Sequence, residues 1–467
     1  MSMEPSPEAD LLSQAGLPAE AISAWAESWP QTSDDYAGDS ERFSRFWLLI
    51  AELRGMLPPK PRRDATETAA AALLARLGSE SRDAFLAAHV ESVYRALTQD
   101  FAIHVRADDL AFAAASLVPG LVPTSEEVAA ESEQAQRDKE GLEIDQGIFL
   151  SRVLEHQAAG AHLCHAMLLP RQEALDRLAE LSERGSVDLG AATVGRVGRA
   201  SFVTMRNPRF LNAEDEGTVD AVETAVDLAI LDPDTEIAVL RGDTVEHPKY
   251  RGRRIFSTGI NLTHLYRGKI SYLWYIRREM GFVNKMFRGV ARREANPDEI
   301  CGDLLEKPWI AAVDAFAIGG GCQYLLATDY VIAASDAYMT LPARKEGIIP
   351  GAANLRLPRF TGDRIARQLI MYGRRLECDS PEGRMICDEV VPPAEMDAAV
   401  ARAVDGFTSA GVVSAAGNRR AFRVGMEPLD LFRRYMAVYA REQAHCHFSP
   451  ALISNLERNW NAQQRQA

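Results

Sequence analysis

The chain has 467 residues, of which 47% are hydrophobic and 25% are charged, and its formal net charge is −14. This length exceeds that of an average single domain, so we expect two or more folded units with ample core. The negative charge argues against nucleic acid or an anionic membrane as the main partner, because both are bound through a surplus of Lys and Arg.

Targeting and redox signals point to the cytoplasm. The N-terminal residues MSMEPSPEADLL lack a basic, apolar secretory pattern, and no run approaches the ~18 apolar residues that span a bilayer. The six cysteines are scattered without framework spacing, so reduced thiols are expected. We predict a cytoplasmic protein.

The first ~190 residues carry Ala and Leu at helical spacing, which predicts a helical domain over residues 1–190. Within it, the charged stretch 125–145 fits either an exposed helix or a mobile segment. We favour the helix.

The pattern then changes. Residues 192–208, ATVGRVGRASFVTMRNP, alternate and predict a strand or hairpin. Residues 220–232 predict a helix, 235–243 a buried strand, and 271–294 a strongly amphipathic helix. Further on, WIAAVDA, YVIAAS and YMTLP predict strands, with helices at CQYLLATD and DRIARQLIMYG.

Strands that alternate with helices indicate an α/β core with a mostly parallel sheet. We place this core at residues 191–424 and a C-terminal helical segment at 425–467.

Two glycine turns about sixty residues apart hold the candidate chemistry, FSTGINL (256–262) and AFAIGGGCQYLL (315–326). Glycine permits the close approach of backbone to a ligand. At the second turn, the amides that start the helix have no intrahelical partner and carry the positive end of the helix dipole. Two such amides are what an enolate or tetrahedral oxyanion needs.

The order and spacing of these motifs resemble the crotonase (enoyl-CoA hydratase/isomerase) superfamily over residues ~190–400. The resemblance implies an α/β, crotonase-like (ββα spiral) core with a helical N-terminal extension and C-terminal helices. The matching stretches are RNPRFLNA (206–213), FSTGINL, KPWIAAVDAFAIGGG (307–321), ATDYVIAAS, GIIPGAANLRLPRFTG (347–362) and MYGRRLECDSPEGRMICDEVV (371–391).

Carried onto this chain, the resemblance implies an acyl-CoA thioester held between the backbone amides of Ile260, just after Gly259, and Gly320, followed by Gly321. It places CoA beside Asn212, Ala213 and Thr258. It also implies a homo-oligomer, a trimer or a dimer of trimers.

Two departures from the family pattern bear on the reaction. Gln323 stands where the hydratase has one catalytic glutamate, and Ala343 stands where it has the other; Glu346 lies three residues on. Neither an amide nor a methyl group can act as a general acid or base at neutral pH. Enoyl-CoA hydration is therefore not expected.

The surrounding sequence is similar to one subfamily, the cofactor-independent (3,5-dihydroxyphenyl)acetyl-CoA 1,2-dioxygenases of glycopeptide-antibiotic biosynthesis, on the route to dihydroxyphenylglycine. The similarity covers the helical extension, the glutamine, and FSTGINLTHLYRGKISYLWYIRREMGFVNKMFRG. It implies a substrate carbanion that reduces O2 without metal or flavin, giving the arylglyoxylate and free CoA.

On this reading, the phenol hydroxyls need polar partners, and we predict Glu214, Gln323 and Arg278. Oxygen needs an apolar hole, with walls from Ile348, Ile349 and Leu262.

Competing interpretations accompany several of these residues. Glu214 lies in NAEDEG, whose acids also suit a solvated helix start. Arg277 competes with Arg278, and His247 and His264 suit structural roles better than proton transfer.

We expect no metal, because HLCH (162–165) and HCH (445–447) lack spaced partners. No nicotinamide or flavin fingerprint is present, and Cys322 fits packing better than nucleophilic attack.

Two other functions stay open. One is an acyl-CoA isomerase or thioester hydrolase that uses a different acid, such as Glu346. The other is a non-catalytic CoA-binding subunit.

Overall fold

The computed structural model describes residues 6–295, 304–411 and 413–465. Its N-terminal part consists of helices joined by short turns, as predicted. They are α1 (Pro7–Gln14), α2 (Ala19–Glu27), α3 (Tyr36–Met56), α4 (Ala65–Thr98), α5 (Ala107–Leu117), α6 (Ser125–Ser132), α7 (Ile144–Glu155), α8 (Gln157–Leu168) and α9 (Gln172–Arg184). In the ranges described, no helix is both long enough and apolar enough to cross a bilayer.

The predicted continuous helix over 125–145 is wrong, because α6 ends at Ser132. The side chain of Glu131 is buried. Its carboxylate accepts the backbone N–H groups of Glu140, Gly141 and Leu142 at 2.5, 3.2 and 3.3 Å. A carboxylate can accept N–H groups from residues nine to eleven positions further on only if the chain folds back on itself, which a continuous helix does not do.

A seven-stranded sheet and two small sheets follow. The strands are β1 (Ser186–Asp188), β2 (Ala192–Val197), β3 (Ala200–Met205), β4 (Ile237–Gly242), β5 (Val290–Ala291), β6 (Leu304–Leu305), β7 (Trp309–Val313), β8 (Phe316–Ile318), β9 (Tyr330–Ala334), β10 (Tyr338–Thr340), β11 (Arg375–Glu377) and β12 (Glu389–Val391). The large sheet has the order β1-β2-β3-β4-β7-β9-β12. The first three strands pair antiparallel and the rest parallel, which confirms the predicted hairpin and mostly parallel sheet. In the second sheet β10 lies between β8 and β11, and β5 pairs with β6 in the third.

Helices cover and extend these sheets. They are α10 (Glu216–Leu231), α11 (Leu262–Tyr266), α12 (Tyr272–Arg278), α13 (Asn284–Arg288), α14 (Gly320–Leu325), α15 (Ala343–Glu346), α16 (Ala353–Arg367), α17 (Met396–Thr408), α18 (Val413–Met426), α19 (Leu429–His447) and α20 (Pro450–Trp460). Their positions confirm the helices expected at 220–232 and after residue 425.

The single amphipathic helix predicted over 271–294 is wrong. The segment breaks into α12, a π-helical turn at Glu279–Val283, α13 and strand β5. The break falls at Gly281, whose ψ is −116°. A Cβ there would lie 3.0 Å from the carboxylate of Glu223. Almost every side chain of the segment is buried, because helices from both ends of the chain cover it.

One of the two main cores joins distant parts of the chain. It contains side chains of the N-terminal helices together with those of α12, α19 and α20, while the other lies between the large sheet and its helices. Tyr272 shows the connection, because its N–H donates to Glu143 of the N-terminal region at 2.6 Å and its hydroxyl to the carbonyl of Ala440 at 2.9 Å. The division at 190 and 424 stays a prediction.

Glu427, between α18 and α19, ties the C-terminal helices to the core. Its buried carboxylate accepts hydrogen bonds from Arg288, Arg356 and Arg359 at distances between 2.8 and 3.2 Å. Burial alone would raise the pKa of this carboxyl, but the arginines hold it at about 2, below its ordinary value of 4.5.

Replacing this carboxylate, Glu427→Gln, should lower the free energy of unfolding by about 3–5 kcal/mol, because it leaves buried guanidinium groups without their counter-charge. Since the folded pKa is depressed, the contribution is present above pH 4.5 and is lost as the pH falls towards 2. Urea denaturation across that pH range measures both effects.

The matched control is Asp363→Asn, which removes an exposed ion pair with Arg367 and should cost no more than about 1 kcal/mol. Equal losses for the two variants would contradict the assignment.

Candidate active site

The two glycine turns lie side by side in register. Ser257 of the first turn and Ala317 of the second form a parallel bridge, and the N–H of Ile318 donates to the carbonyl of Ser257 at 3.0 Å. Ile260 and Gly320 each lie three residues beyond that bridge. Within the described ranges neither of their amides donates a hydrogen bond to protein, and both residues line one cavity.

Glycine is required on both sides of this contact. Gly259 has φ +73°, and a Cβ there would lie 2.7 Å from the carbonyl oxygen of Ile318 and 2.8 Å from the amide nitrogen of Gly320. A Cβ on Gly320 would lie 2.2 Å from Oε1 of Glu214. A side chain at Gly259 would push the turns apart, and one at Gly320 would displace the carboxylate of Glu214. Glycine therefore allows both the contact between the turns and the contact with Glu214.

The cavity that Ile260 and Gly320 share, called the inner cavity below, is narrow, with a volume of about 30 Å³. Its wall contains five predicted site residues besides this pair: Thr258, Arg278, Gln323, Ile348 and Ile349. It also contains residues that the sequence did not indicate: Trp274, Tyr275, Glu279, Pro350, Gly351 and Tyr439. The space is therefore largely apolar with a polar side at Arg278.

Arg278 is the centre of that polar side. Its guanidinium is buried and donates to Glu214 at 2.5 and 3.2 Å, to Oε1 of Gln323 at 2.5 Å, and to the carbonyl of Gly320 at 3.0 Å. It also donates to Glu279. The glutamine expected beside the oxyanion turn is thus positioned by this arginine.

Burial by itself would lower the pKa of Arg278, but Glu214, Tyr324 and Glu279 raise it well above its ordinary value. The guanidinium also lies 4.8 Å from the ring centroid of Tyr324, a cation–π contact that adds to its stability. Arg278 is therefore a permanent cation, and with two carboxylates the cluster carries a net negative charge.

A second, larger cavity, called the outer cavity, opens to the surface beside the first. The two share Thr258, Ile260 and Glu346 as wall residues. The outer wall includes apolar and aromatic groups, among them Phe210 and Trp460. Its basic side chains are Arg209, Lys345 and Arg465. A long ligand could lie with an anionic, partly aromatic end outside and a compact end inside.

Glu346 occupies the junction between the cavities. It retains some accessible surface because it borders them. The surrounding protein nonetheless desolvates its carboxyl and raises the pKa to about 7.

The other predicted residues are distributed as follows. Ala213, Leu262 and His247 line the outer cavity. The side chain of Asn212 is buried and donates to the carbonyls of Asp243 and Ile255 at 2.8 and 2.7 Å, so it shapes the loop. Gly321 packs against Ser257, behind the turn.

The neighbouring charged residues are engaged elsewhere. Arg277 pairs with Glu216 and Asp220 on α10, which resolves the choice between the two arginines in favour of Arg278. His264 lies 3.0 Å from Asp215 and does not border either cavity.

No residue of the histidine and cysteine motifs borders either cavity, although His447 of HCH packs behind the wall residue Tyr275, with its ring nitrogen 3.4 Å from the hydroxyl. Within residues 6–295, 304–411 and 413–465, no three His, Cys, Asp or Glu side chains form a group that could hold a metal ion. His162 of HLCH is bonded to the hydroxyl of Tyr94 at 2.8 Å. Cys322 is buried, and burial raises its pKa to about 12, so the thiol stays protonated.

Some wall residues could not be found from the motifs. Glu279 directly follows Arg278 in the sequence, and that adjacency is its only local signal. Tyr439 on α19 and Trp460 on α20 carry no local signal, because they reach the cavities only through packing of the C-terminal helices.

Comparison with known proteins gives three findings. Residues 300–432 match the enoyl-CoA hydratase/isomerase family. A (3,5-dihydroxyphenyl)acetyl-CoA 1,2-dioxygenase of Amycolatopsis orientalis is 47% identical over 393 residues, which cover 84% of this chain and 89% of that protein. A short-chain-enoyl-CoA hydratase of Clostridium acetobutylicum is 26% identical over 52% of this chain and 84% of its own.

Among solved structures, an enoyl-CoA hydratase of Bacillus halodurans has a TM-score of 0.47 and 17% identity, covering 58% of this chain and all of that one. The extent of the similarity to the Amycolatopsis protein decides the classification. The chain belongs to the crotonase (enoyl-CoA hydratase/isomerase) superfamily.

Proposed function

We propose that the protein is a dioxygenase that converts (3,5-dihydroxyphenyl)acetyl-CoA and O2 to (3,5-dihydroxyphenyl)glyoxylate and free CoA, without metal or organic cofactor. The observation that carries the proposal is the 47% identity to a dioxygenase of that name over 89% of its length. The similarity includes the helical extension, which hydratases matching only half of this chain do not cover.

The paired amides support the first chemical step. Loss of a proton from the carbon between ring and thioester puts negative charge on the thioester oxygen. The N–H groups of Ile260 and Gly320, on adjacent turns and without protein partners in the described ranges, would donate to that oxygen. Each well-placed donor of this kind lowers the barrier by about 3–4 kcal/mol.

The polar side of the inner cavity suits the dihydroxyphenyl ring. Gln323 and Glu279 border the cavity with Arg278, and Glu214 lies behind it. We propose that the two phenol groups bind to this cluster, whose carboxylate and amide oxygens can accept their O–H groups. The bound ring then shares the charge of the carbanion.

The apolar remainder suits O2. Ile348 and Ile349 form part of the inner wall, and an apolar, water-poor space protects a reactive carbanion from side reactions. The carbanion gives its electrons to O2, the resulting peroxide attacks the thioester carbon, and the C–S bond breaks. The remaining hydrogen of that carbon then leaves as a proton to solvent while its C–H electrons form the ketone and the O–O bond breaks. One oxygen atom stays on each carbon, so both atoms of O2 enter the product.

The outer cavity suits the nucleotide part of CoA. Arg209, Lys345 and Arg465 can neutralise phosphate groups. Thr258 and Ala213 lie on the same wall. We propose that the pantetheine arm passes the shared rim at Ile260 so that the thioester meets the two amides.

Incubation of metal-stripped protein with (3,5-dihydroxyphenyl)acetyl-CoA under heavy-isotope O2 should consume oxygen, release CoA, and yield an arylglyoxylate that carries two heavy oxygen atoms. Oxygen electrode and mass spectrometry measure this. A parallel anaerobic incubation should release no CoA. Release of CoA without oxygen would instead indicate thioester hydrolysis, and binding without turnover in air would indicate a non-catalytic subunit.

The variant Gln323→Leu should lower kcat/KM for oxygen consumption about 10- to 100-fold, because it leaves one donor of Arg278 and one phenol group without a buried acceptor, at about 1–3 kcal/mol. Affinity for CoA itself should not change. Gln172→Leu, at an exposed position on α9, is the control. Unchanged turnover by the Gln323 variant would exclude this role.

We also propose a homo-oligomer, a trimer or a dimer of trimers. Exposed apolar side chains on the C-terminal helices, Phe422, Val424 and Val438, support an interface there. Light scattering should then give three or six times the chain mass of 51.4 kDa, and Phe422→Glu with Val438→Glu should reduce it. A mass of one chain for the unmodified protein would contradict the proposal.

A cytoplasmic location remains part of the proposal, because the six cysteines of the sequence lack the framework spacing of disulfide-bonded secreted proteins.

A further inference from the structure

The proposed reaction begins with loss of a proton, and the residues discussed so far do not accept one. Arg278 is permanently charged, and the amide of Gln323 is neither a base nor an acid at neutral pH. Glu214 and Glu279 are both committed to hydrogen bonds with Arg278, and Glu279 also accepts the N–H of Ala352 at 3.0 Å. A base must be sought elsewhere on the wall.

The phenols on that wall are unsuitable. Burial raises the pKa of Tyr275 and of Tyr439 well above the ordinary value, so both are protonated at neutral pH. His247 borders only the outer cavity, where its ring nitrogen accepts the N–H of Lys249 at 3.2 Å. That places it away from the paired amides.

Glu346 differs from all of these groups in its position. It ends helix α15, which begins at Ala343, and residues three apart lie on the same side of a helical turn. Both residues border the inner cavity, and the small side chain of Ala343 leaves space beside the carboxylate.

Glu346 also belongs to the outer wall, together with Thr258 and Ile260. It therefore borders the passage where a thioester would lie with its oxygen at the amide of Ile260.

Unlike Glu279, the other acid on the cavity walls, Glu346 has no protein partner in the described residues. Among the residues that the structure describes, its carboxylate accepts no hydrogen bond and forms no ion pair. Desolvation raises its pKa to about 7, in the range that suits a general base near neutral pH. A carboxylate that is desolvated and unpaired is costly for stability, and such a cost is typical of functional sites.

We propose that Glu346 is the general base that removes a proton from the carbon next to the thioester carbonyl. This inference rests on the proposed function. In the step, the C–H bond breaks, the proton moves to a carboxylate oxygen of Glu346, and the bonding electrons form the enolate held by Ile260 and Gly320. The protonated acid then returns its proton to the departing CoA thiolate, so that the carboxylate is regenerated in each turnover.

Proton removal can be measured apart from oxygen chemistry by anaerobic exchange of the substrate's CH2 hydrogens with D2O, followed by mass spectrometry or NMR. The protein should catalyse the exchange, and Glu346→Gln should slow it at least 100-fold while substrate affinity changes less than about threefold. Glu346→Asp, which keeps the carboxylate but shortens it, should retain part of the rate.

A matched control is Glu395→Gln, at an exposed position without an ion pair, which should exchange at the unmodified rate. Melting temperature and binding of a non-hydrolysable thioether analogue verify that each variant is folded. Exchange by Glu346→Gln at the unmodified rate would overturn the proposal. So would equal losses in Glu346→Gln and Glu346→Asp when both variants bind the analogue.

The pH dependence gives a second readout. Because the carboxylate is the active form, the exchange rate should rise with pH through about 7, and Glu346→Gln should lose that inflection.

Other ionisable groups border the cavities or the elements packed on α15. On the cavity walls they are Arg209, His247, Tyr275, Arg278, Glu279, Lys345, Tyr439 and Arg465. Tyr372, Glu457 and Arg458 lie on the adjoining π-helical turn and α20. If the inflection in the pH profile persists in Glu346→Gln, one of these other groups causes it, and the proposal is contradicted.

The two proposals fail in different ways. Suppose that the unmodified protein exchanges deuterium and Glu346→Gln does not, but the unmodified protein consumes no O2. The assignment of the base is then supported and the dioxygenase function is contradicted. If the unmodified protein consumes O2 while Glu346→Gln exchanges deuterium at the unmodified rate, the dioxygenase function is supported and the assignment of the base is contradicted.

Discussion

The buried guanidinium of Arg278 is the interaction on which the inner cavity depends. It connects three separate parts of the chain: Glu214 before α10, Glu279 in the π-helical turn, and Gln323 with the carbonyl of Gly320 in α14. Removing a charge from such a cluster leaves buried partners uncompensated, which costs several kcal/mol. One cation thus holds the polar wall of the cavity and the second glycine turn in a fixed relation.

Glycine complements this charge network. The absence of a side chain at Gly259 allows the two turns to meet, and its absence at Gly320 leaves room for the carboxylate of Glu214. The positions of the two amides are then fixed by backbone geometry before any ligand arrives. Preorganisation of this kind is what makes backbone donors effective, since no reorganisation is needed when charge develops.

Local signals explain what could be predicted from the sequence. The glycine turns, the hairpin and the parallel strands depend on neighbouring residues, and all were found. Arg278 could not be separated from Arg277 because the segment is buried on nearly every side, so helical periodicity did not distinguish an inner face. The helix over 125–145 failed because Glu131 binds amides that lie beyond the range of local propensity. Tyr439 and Trp460 were missed because tertiary packing alone brings them to the cavities.

The C-terminal helix α19 also holds the loop that contributes Ile348 and Ile349. Gln443 accepts the N–H of Ile349 at 2.8 Å, and the hydroxyl of Tyr435 donates to the carbonyl of Gly351. Both side chains lie beyond residue 432, where the match to the family ends. A version truncated at residue 432 would keep every recognisable motif yet lose the side chains that hold this part of the inner cavity wall. A minimal version of this protein should therefore end after α20, and not at the last motif or at the limit of the family match.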